Sequence, residues 1–444
     1  MGPNPIQAEP GWPSVVVTGA SQTGVNLMRD LARRGASVCC VDCNTSNPGF
    51  HTVYGAAFEC PNPDEHPAEW LEFMIALSGR LGGRPVLMSS ADQFVSAIGG
   101  HAAELEKHYL FCRAAVPLQT LLATKEEQYA FASRHGMPVP RTAFVKSPAD
   151  VEAFAAEACF PCLIKPVHAR HWESAPPRHP LYCCTVKVVH TIDELWENYR
   201  LAAEIGPNMV LQEVIEGPDT AKVVYLSCYG QDGRRLGGCV VRELRTFPAH
   251  FGGASVVEPV IDDETDRVCD SFFRSIGYAG LCEIELKRDS RDGRLKMIEA
   301  NPRYSVTADA ATYAGVVLGW LHYLDLSGST VEPVVGDGRA FRHITLRRDV
   351  RCLDTYLREG LLTWRSLIQS YRSPVAFYDF DLRDWRVTAL TIAFVARVLA
   401  GRLYRRVFPR KPRRAATEPV QCESTACVAR LDEIPAAGPQ GTSD

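Results

Sequence analysis

Leu295-Lys-Met-Ile-Glu-Ala-Asn-Pro-Arg303, read together with Cys282-Glu-Ile-Glu-Leu-Lys287 just before it, decides the reading of this chain. Each half alternates in character with the period of two that a pleated strand imposes. Asp289 to Gly293 between them is rich in Asp, Ser and Gly, the residues that turn a chain back on itself. The two halves therefore predict a hairpin that brings Glu285 beside Glu299. The same period puts Glu299 and Asn301 on one side of their strand. Two carboxylates and an amide oxygen aimed at one point form a ligand set for a hard cation such as Mg2+, with Mn2+ as the alternative. Such ions take oxygen donors and share them with phosphates. Arg303 adds a planar cationic fork at the strand end. Taken alone, the two glutamates also fit the solvated face of an ordinary hairpin.

Upstream, Phe160-Pro-Cys-Leu-Ile-Lys-Pro166 is an apolar strand closed by Lys165, a compact charge suited to phosphate. Val167 to Pro180 follows as a loop with three prolines and five His or Arg residues, His168, Arg170, His171, Arg178 and His179. Thr124-Lys-Glu-Glu-Gln opens a helix that runs through Arg134. Met209-Val-Leu-Gln-Glu-Val-Ile-Glu216 is a further apolar strand ending in acids, and Arg242-Glu-Leu-Arg245 precedes a glycine-rich Gly252-Gly-Ala-Ser255.

In this order, Lys165, Gln212-Glu213, the strand of Glu285 and Glu299-Ala-Asn-Pro-Arg303 resemble the ATP-grasp ligases. The likeness spans residues 14 to 330. It implies an α/β (α+β) fold: a Rossmann-like domain at 12–118, then a two-subdomain ATP-grasp domain at 119–330 with its lid subdomain at 143–212. A mixed C-terminal extension at 331–410 and loose tails at 1–11 and 411–444 complete the expected organisation. The resemblance implies ATP enclosed by two subdomains, with Lys125, Lys165 and, more weakly, Lys187 on its phosphates. Gln212, Glu213, Val214, Ile215 and Glu216 would meet adenine and ribose, with Glu213 or Glu216 on the ribose hydroxyls; Val214 and Ile215 read equally as core. Glu285, Glu299 and Asn301 would hold Mg2+. Arg303, Arg242 and Arg245 would be the basic residues at the reacting groups, the last two also reading as surface ion-pair formers.

The Arg-x-Leu-Arg run and His168-Ala-Arg-His-Trp172 turn the likeness toward carboxylate-amine ligases and carbamoyl-phosphate-synthase-like relatives rather than biotin-dependent carboxylases. The implied reaction activates a carboxylate as an acyl phosphate and joins it to an amine, releasing ADP and phosphate. A phosphotransferase on the same fold is the alternative. A nicotinamide-binding oxidoreductase is a third reading, raised only by the first βαβ unit: Ser14-Val-Val-Val-Thr18, a helix from Val25 to Gly35 and Ser37-Val-Cys-Cys-Val-Asp42. That unit lacks the G-x-G-x-x-G phosphate turn, no tyrosine is followed four residues on by lysine, and no P-loop pattern is present. Gly19, Ser21 and Asp92 are expected as turn formers and a helix cap, or as residues lining substrate.

At 444 residues with a net charge of −4, the chain has room for two or three domains and no charge bias toward nucleic acid. Met1 to Pro13 is polar with four prolines, so no secretory signal is read, and a cytoplasmic location is expected. Sixteen cysteines are too sparse for a disulfide scaffold. Cys159-Phe-Pro-Cys162 with Cys183-Cys184 has zinc-like spacing, but adjacent strand residues point to opposite faces, and buried free thiols are expected instead. Arg383 to Phe408 predicts a helix with an apolar middle, Val387 to Ala396, and a strongly basic end running to Arg414. Its expected role is core packing against the extension, with a basic interfacial anchor over 385–414 as the alternative. Partners are expected to be small-molecule carboxylates and amines, with a homodimer as the candidate assembly.

Overall fold

A computed structural model describes residues 11–167, 171–182, 184, 186–206, 208–372 and 374–407. These described residues divide into two units, 11–139 with 215–407, and 140–214.

The larger unit opens with β1 (Val15–Thr18), a β-branched run buried along its whole length, as a strand covered on both faces requires. α1 (Gln22–Ala32), β2 (Val38–Asp42), β3 (Ala56–Glu59), α2 (Pro67–Leu81), β4 (Val86–Ser89) and α3 (Asp92–Gly100) follow. The four strands form a parallel sheet in the order β3-β2-β1-β4. α1 starts at Gln22 rather than Val25, and Gly24 therefore lies in its first turn. No larger residue fits there, because a Cβ would sit 1.9 Å from the Gly19 carbonyl oxygen. α4 (Ala102–Leu105), α5 (Val116–Ala123) and α6 (Lys125–Arg134) lead to the end of this segment.

The smaller unit is an antiparallel sheet with two helices. β5 (Thr142–Val145), α7 (Pro148–Ala155), β6 (Cys162–Pro166), β7 (Lys187–Val189), α8 (Ile192–Ile205) and β8 (Met209–Glu213) make the order β5-β8-β6-β7. Ser147 and Asp150 form a capping box at the start of α7, and Thr191 caps α8 through the Glu194 amide. Its core gathers Val151, Phe154, Cys162, Ile164, Leu195 and Leu211.

Back in the larger unit, β9 (Lys222–Tyr229), β10 (Arg235–Phe247), β11 (Gly253–Val260), α9 (Asp263–Ser275), β12 (Gly280–Arg288) and β13 (Leu295–Asn301) build most of the second sheet. α10 (Ala308–Tyr313), α11 (Leu318–Leu326), β14 (Val334–Val335), β15 (Arg342–Ile344), α12 (Leu346–Arg358), α13 (Trp364–Arg372), β16 (Val375–Phe377) and α14 (Trp385–Val407) complete the chain. The strand order is β13-β12-β9-β10-β11-β15-β16, with β14 beside β10. The boundaries expected at 118 and 330 are not breaks in packing. One apolar core joins Val15 and Leu27 of the first sheet to Leu226 and Leu281 of the second, Trp320 of α11 and Ala376 of β16. Buried polar links tighten it: Arg29 meets Asp309 at 2.9 Å, His343 meets the same carboxylate at 2.8 Å, and Asn26 donates to the Tyr378 carbonyl at 3.0 Å. The extension thus docks on α1 through groups that would be costly to leave unpaired.

Candidate active site

The antiparallel register of β12 and β13 sets Glu285 opposite Glu299 and Glu283 opposite Asn301. Directly opposed residues share a face, so these four side chains form one polar row at the sheet edge. β13 is the outermost strand, and α6 closes its free edge: Gln128 accepts from the Ala300 amide at 2.8 Å and the Tyr129 hydroxyl donates to the Ile298 carbonyl. α6 thereby sets Lys125 at its first turn, 3.6 Å from the Glu299 carboxylate. Glu283 is saturated, accepting from Asn301 Nδ2 at 3.0 Å, Ser305 Oγ at 2.6 Å and Thr307 Oγ1. Its task is to orient Asn301, whose Oδ1 accepts from Arg303 Nη2 at 3.1 Å. The amide oxygen assigned to a metal is therefore turned to Arg303.

Lys222, at the start of β9, is the group that sequence reading missed. It lies 2.7 Å from Glu243 and 3.9 Å from Glu285, and donates to the Gly252 carbonyl at 3.2 Å. Burial opposes its charge, but Glu243 and then Glu285 overcome that and raise its pKa. Burial also leads for Glu285; with the negative charges of Glu243, Glu283 and Glu299 it outweighs Lys222 and pushes the carboxyl up to about 8. The row thus carries more negative charge than its lysines balance, in all-oxygen donors. That fits a hard divalent cation on Glu285 and Glu299. Among the described residues no three His, Cys, Asp or Glu side chains make a metal cage by themselves.

Arg303 is already engaged. Its Nε and Nη2 donate to the two oxygens of Asp92 at 2.6 and 2.7 Å, a bidentate fork. Asp92 is the first residue of α3 and not its cap, which is Ala91. This pair fixes an arginine fork, held by an exchangeable carboxylate, beside the Glu299 strand.

The other two arginines do not join the row. Arg242 and Glu243 are successive strand residues on opposite faces, and the sequence signal for this was available: choosing the arginine commits the glutamate to the other side. Arg242 pairs across strands with Glu258 and borders an open cavity of about 670 Å³ with Val223, Ile261, Asp262 and Arg288. Arg245 is buried, its guanidinium bidentate on Asp349 at 2.7 and 2.9 Å, with Ser370 at 3.4 Å. It is a structural tie between β10 and α12.

In the smaller unit, Lys165 Nζ donates to Gln212 Oε1 at 3.2 Å, and Gln212 Nε2 donates to Thr142 at 2.8 Å. Lys187 pairs in register with Ile164, one residue from Lys165, so it belongs to the core face and not with Lys165. Glu213 accepts from the Cys159 amide at 2.9 Å, which occupies the carboxylate considered for ribose. The Val214 amide donates to the Pro161 carbonyl at 3.0 Å. In the larger unit Ile215 is buried, and the Glu216 carbonyl accepts from the Ser290 amide at 3.1 Å. His168, Ala169, Arg170 and Cys183 lie outside the described residues.

The first sheet lends the nicotinamide reading no support. Asp42, the acid that would take a ribose, accepts from the Ala20 amide at 2.6 Å, the Asn44 amide at 2.8 Å and Asn47 Nδ2 at 2.9 Å. Its oxygens hold the Gly19 turn in place.

The arrangement is that of an ATP-grasp fold: an αβ domain, a smaller antiparallel unit and a sheet whose hairpin carries a carboxylate pair. N5-carboxyaminoimidazole synthetase from Staphylococcus aureus, solved with ADP, superposes with a TM-score of 0.60 at 14% identity, over 80% of this chain and 87% of that one. In sequence the chain is 22% identical over 238 residues to D-aspartate ligase of Enterococcus faecium, covering 52% of this chain and 56% of the relative. It is 27% identical over 191 residues to the carbamoyl phosphate synthase large chain of Deinococcus radiodurans, covering 40% of this chain and 17% of that one. The matched stretches thus span about half or less of these relatives' own length. No family model matches the chain.

Proposed function

We propose that the chain is an ATP- and Mg2+-dependent ligase that activates a carboxylate as an acyl phosphate and joins it to an amine. The observation that carries this reading is the facing pair Glu285 and Glu299, with Lys125 at one carboxylate and the Arg303 fork at the end of the same strand. Glu285 and Glu299 would hold Mg2+, with Asn301 Oδ1 as third donor once released from Arg303; Mn2+ suits the same oxygens. An ion held there would supply positive charge against the transferred phosphate. Lys125 would be the compact cation for phosphate in the larger unit, and Lys165 is the candidate for that role in the smaller one. Backbone groups from Glu213 to Ile215 would face adenine, and Glu216 takes the ribose, since Glu213 is held by Cys159.

Arg303 exchanges Asp92 for the substrate carboxylate and aims its oxygen at the γ-phosphorus. As that P–O bond forms, the bond to the ADP oxygen breaks. The amine nitrogen then forms its bond to the acyl carbon, phosphate departs with the carbon–oxygen electron pair, and the proton lost by the amine ends on that phosphate. These residues supply position and charge rather than a nucleophile, which is what a loose phosphoryl transition state needs. The name of the D-aspartate ligase relative makes amino acids the first carboxylates to test. A cytoplasmic location belongs to this reading, and the basic C-terminal helix brings a membrane surface into it.

The test is a screen of amino acids and other carboxylates with Mg-ATP and hydroxylamine. A ligase gives ADP, phosphate and the hydroxamate of one carboxylate. AMP and pyrophosphate would reject the acyl-phosphate route. ADP formed with an acceptor but with no hydroxamate or amide would favour the phosphotransferase.

A further inference from the structure

α14 runs for 23 residues at the end of the described chain, and its stretch Trp385–Tyr404 is long and apolar enough to cross a membrane by length and composition. Core packing, the expected role, uses only one side of it. Val387, Thr388 and Thr391 are buried, Arg347 lies over the Phe394 ring at 4.7 Å, and Arg402 pairs with Asp354 at 2.8 Å. The last two contacts tie the middle and the C-terminal part of the helix to α12. The other side is bare. Trp385, Ile392, Leu399 and Leu403 are 63%, 53%, 50% and 64% exposed. With Ala389 and Ala396 they recur in alternating steps of four and three, which is one continuous stripe on a helix.

Charge decides what covers this stripe. From Trp385 to Thr417 the sequence holds nine Lys or Arg residues (386, 397, 402, 405, 406, 410, 411, 413 and 414) and no Asp or Glu. A second copy of the helix would bring the same cations against Arg386 and Arg397, which flank the stripe. An anionic lipid surface meets them with opposite charge and accepts the apolar side chains just below its headgroups. A crossing helix is ruled out by the ties to α12 and by Arg397 near its middle.

We propose that α14 lies flat on a membrane surface rich in anionic lipid, its Trp385–Leu403 stripe in the headgroup boundary and Arg386 and Arg397 beside it facing lipid headgroups. The inference rests on this helix and its flanking charge, not on the ligase reading, and its assay needs no substrate. Full-length protein is sedimented with vesicles of phosphatidylcholine alone and of phosphatidylcholine with phosphatidylglycerol, at moderate salt. Binding is expected only to the anionic vesicles. It should fall about tenfold or more in Ile392→Glu/Leu399→Glu, which removes the apolar face, and again in Arg386→Glu/Arg397→Glu, which reverses charge. All four positions are exposed, so circular dichroism should match the parent. Failure to bind anionic vesicles, or equal binding by parent and both variants, overturns the proposal. So does a parent that is dimeric in solution and becomes monomeric in Ile392→Glu/Leu399→Glu, since that assigns the stripe to a second copy.

Discussion

Replacing Lys222 by methionine tests the electrostatic account of the site most directly. Its ammonium sits 2.7 Å from Glu243 and 3.9 Å from Glu285. At an effective dielectric constant of about 20 those separations correspond to attractions of about 6 and about 4 kcal/mol. Desolvating the ammonium has offset much of this, so the gross sum is not the expected loss. Deleting one partner of a buried pair leaves the other charge unmatched, and the expected destabilisation is about 3–5 kcal/mol. Urea unfolding of the full chain, followed by tryptophan fluorescence, reads it. The double variant Lys222→Met/Glu243→Gln should regain more than half of the loss, because the unmatched carboxylate is then gone. Mg2+ should raise the midpoint of Lys222→Met more than that of the parent, since a cation at Glu285 replaces the missing charge. A Lys222→Met variant within about 1 kcal/mol of the parent, or one not rescued by Glu243→Gln, refutes the assignment of Lys222 as the counter-ion of this row.

Glu299→Gln should keep the fold, as the side chain is partly exposed at a sheet edge, yet nearly abolish ADP formation; full turnover would remove Glu299 from the site. Arg245→Met should lose about 3–5 kcal/mol of stability by stranding Asp349, while Arg242→Gln, whose partner Glu258 is at the surface, should stay within about 1 kcal/mol. Comparing their unfolding midpoints checks both. His322 is buried with Nδ1 unpartnered among the described residues, and burial holds its pKa down at about 4. The unfolded chain therefore takes up this proton first as pH falls through 6.5, and stability drops until pH reaches about 4. Between pH 7 and pH 4 the parent should lose about 2–4 kcal/mol more than His322→Gln, and equal losses would contradict the shift.

The hairpin was legible from residues alone, because alternation and a polar turn are local properties. They put Glu285 opposite Glu299 and Asn301 on the same row without knowledge of any other strand. The helix start at Thr124 was legible for the same reason, as the residue signals that open a helix lie within one turn. The faces of Arg242 and Lys187 were also open to that logic, since a period of two already separates each from its neighbour. What could not be read was contact across long separations. Arg303 meets Asp92 across 211 positions and Arg245 meets Asp349 across 104, and no periodicity encodes which segment will arrive there. Lys222 became part of the site only when β9 was placed between β10 and β12. For α14, sequence determined a basic, apolar helix, while tertiary packing decided that α12 covers one side and leaves the other bare. Local pattern sets which way a side chain faces on its own element; only the assembled fold determines what stands in front of it.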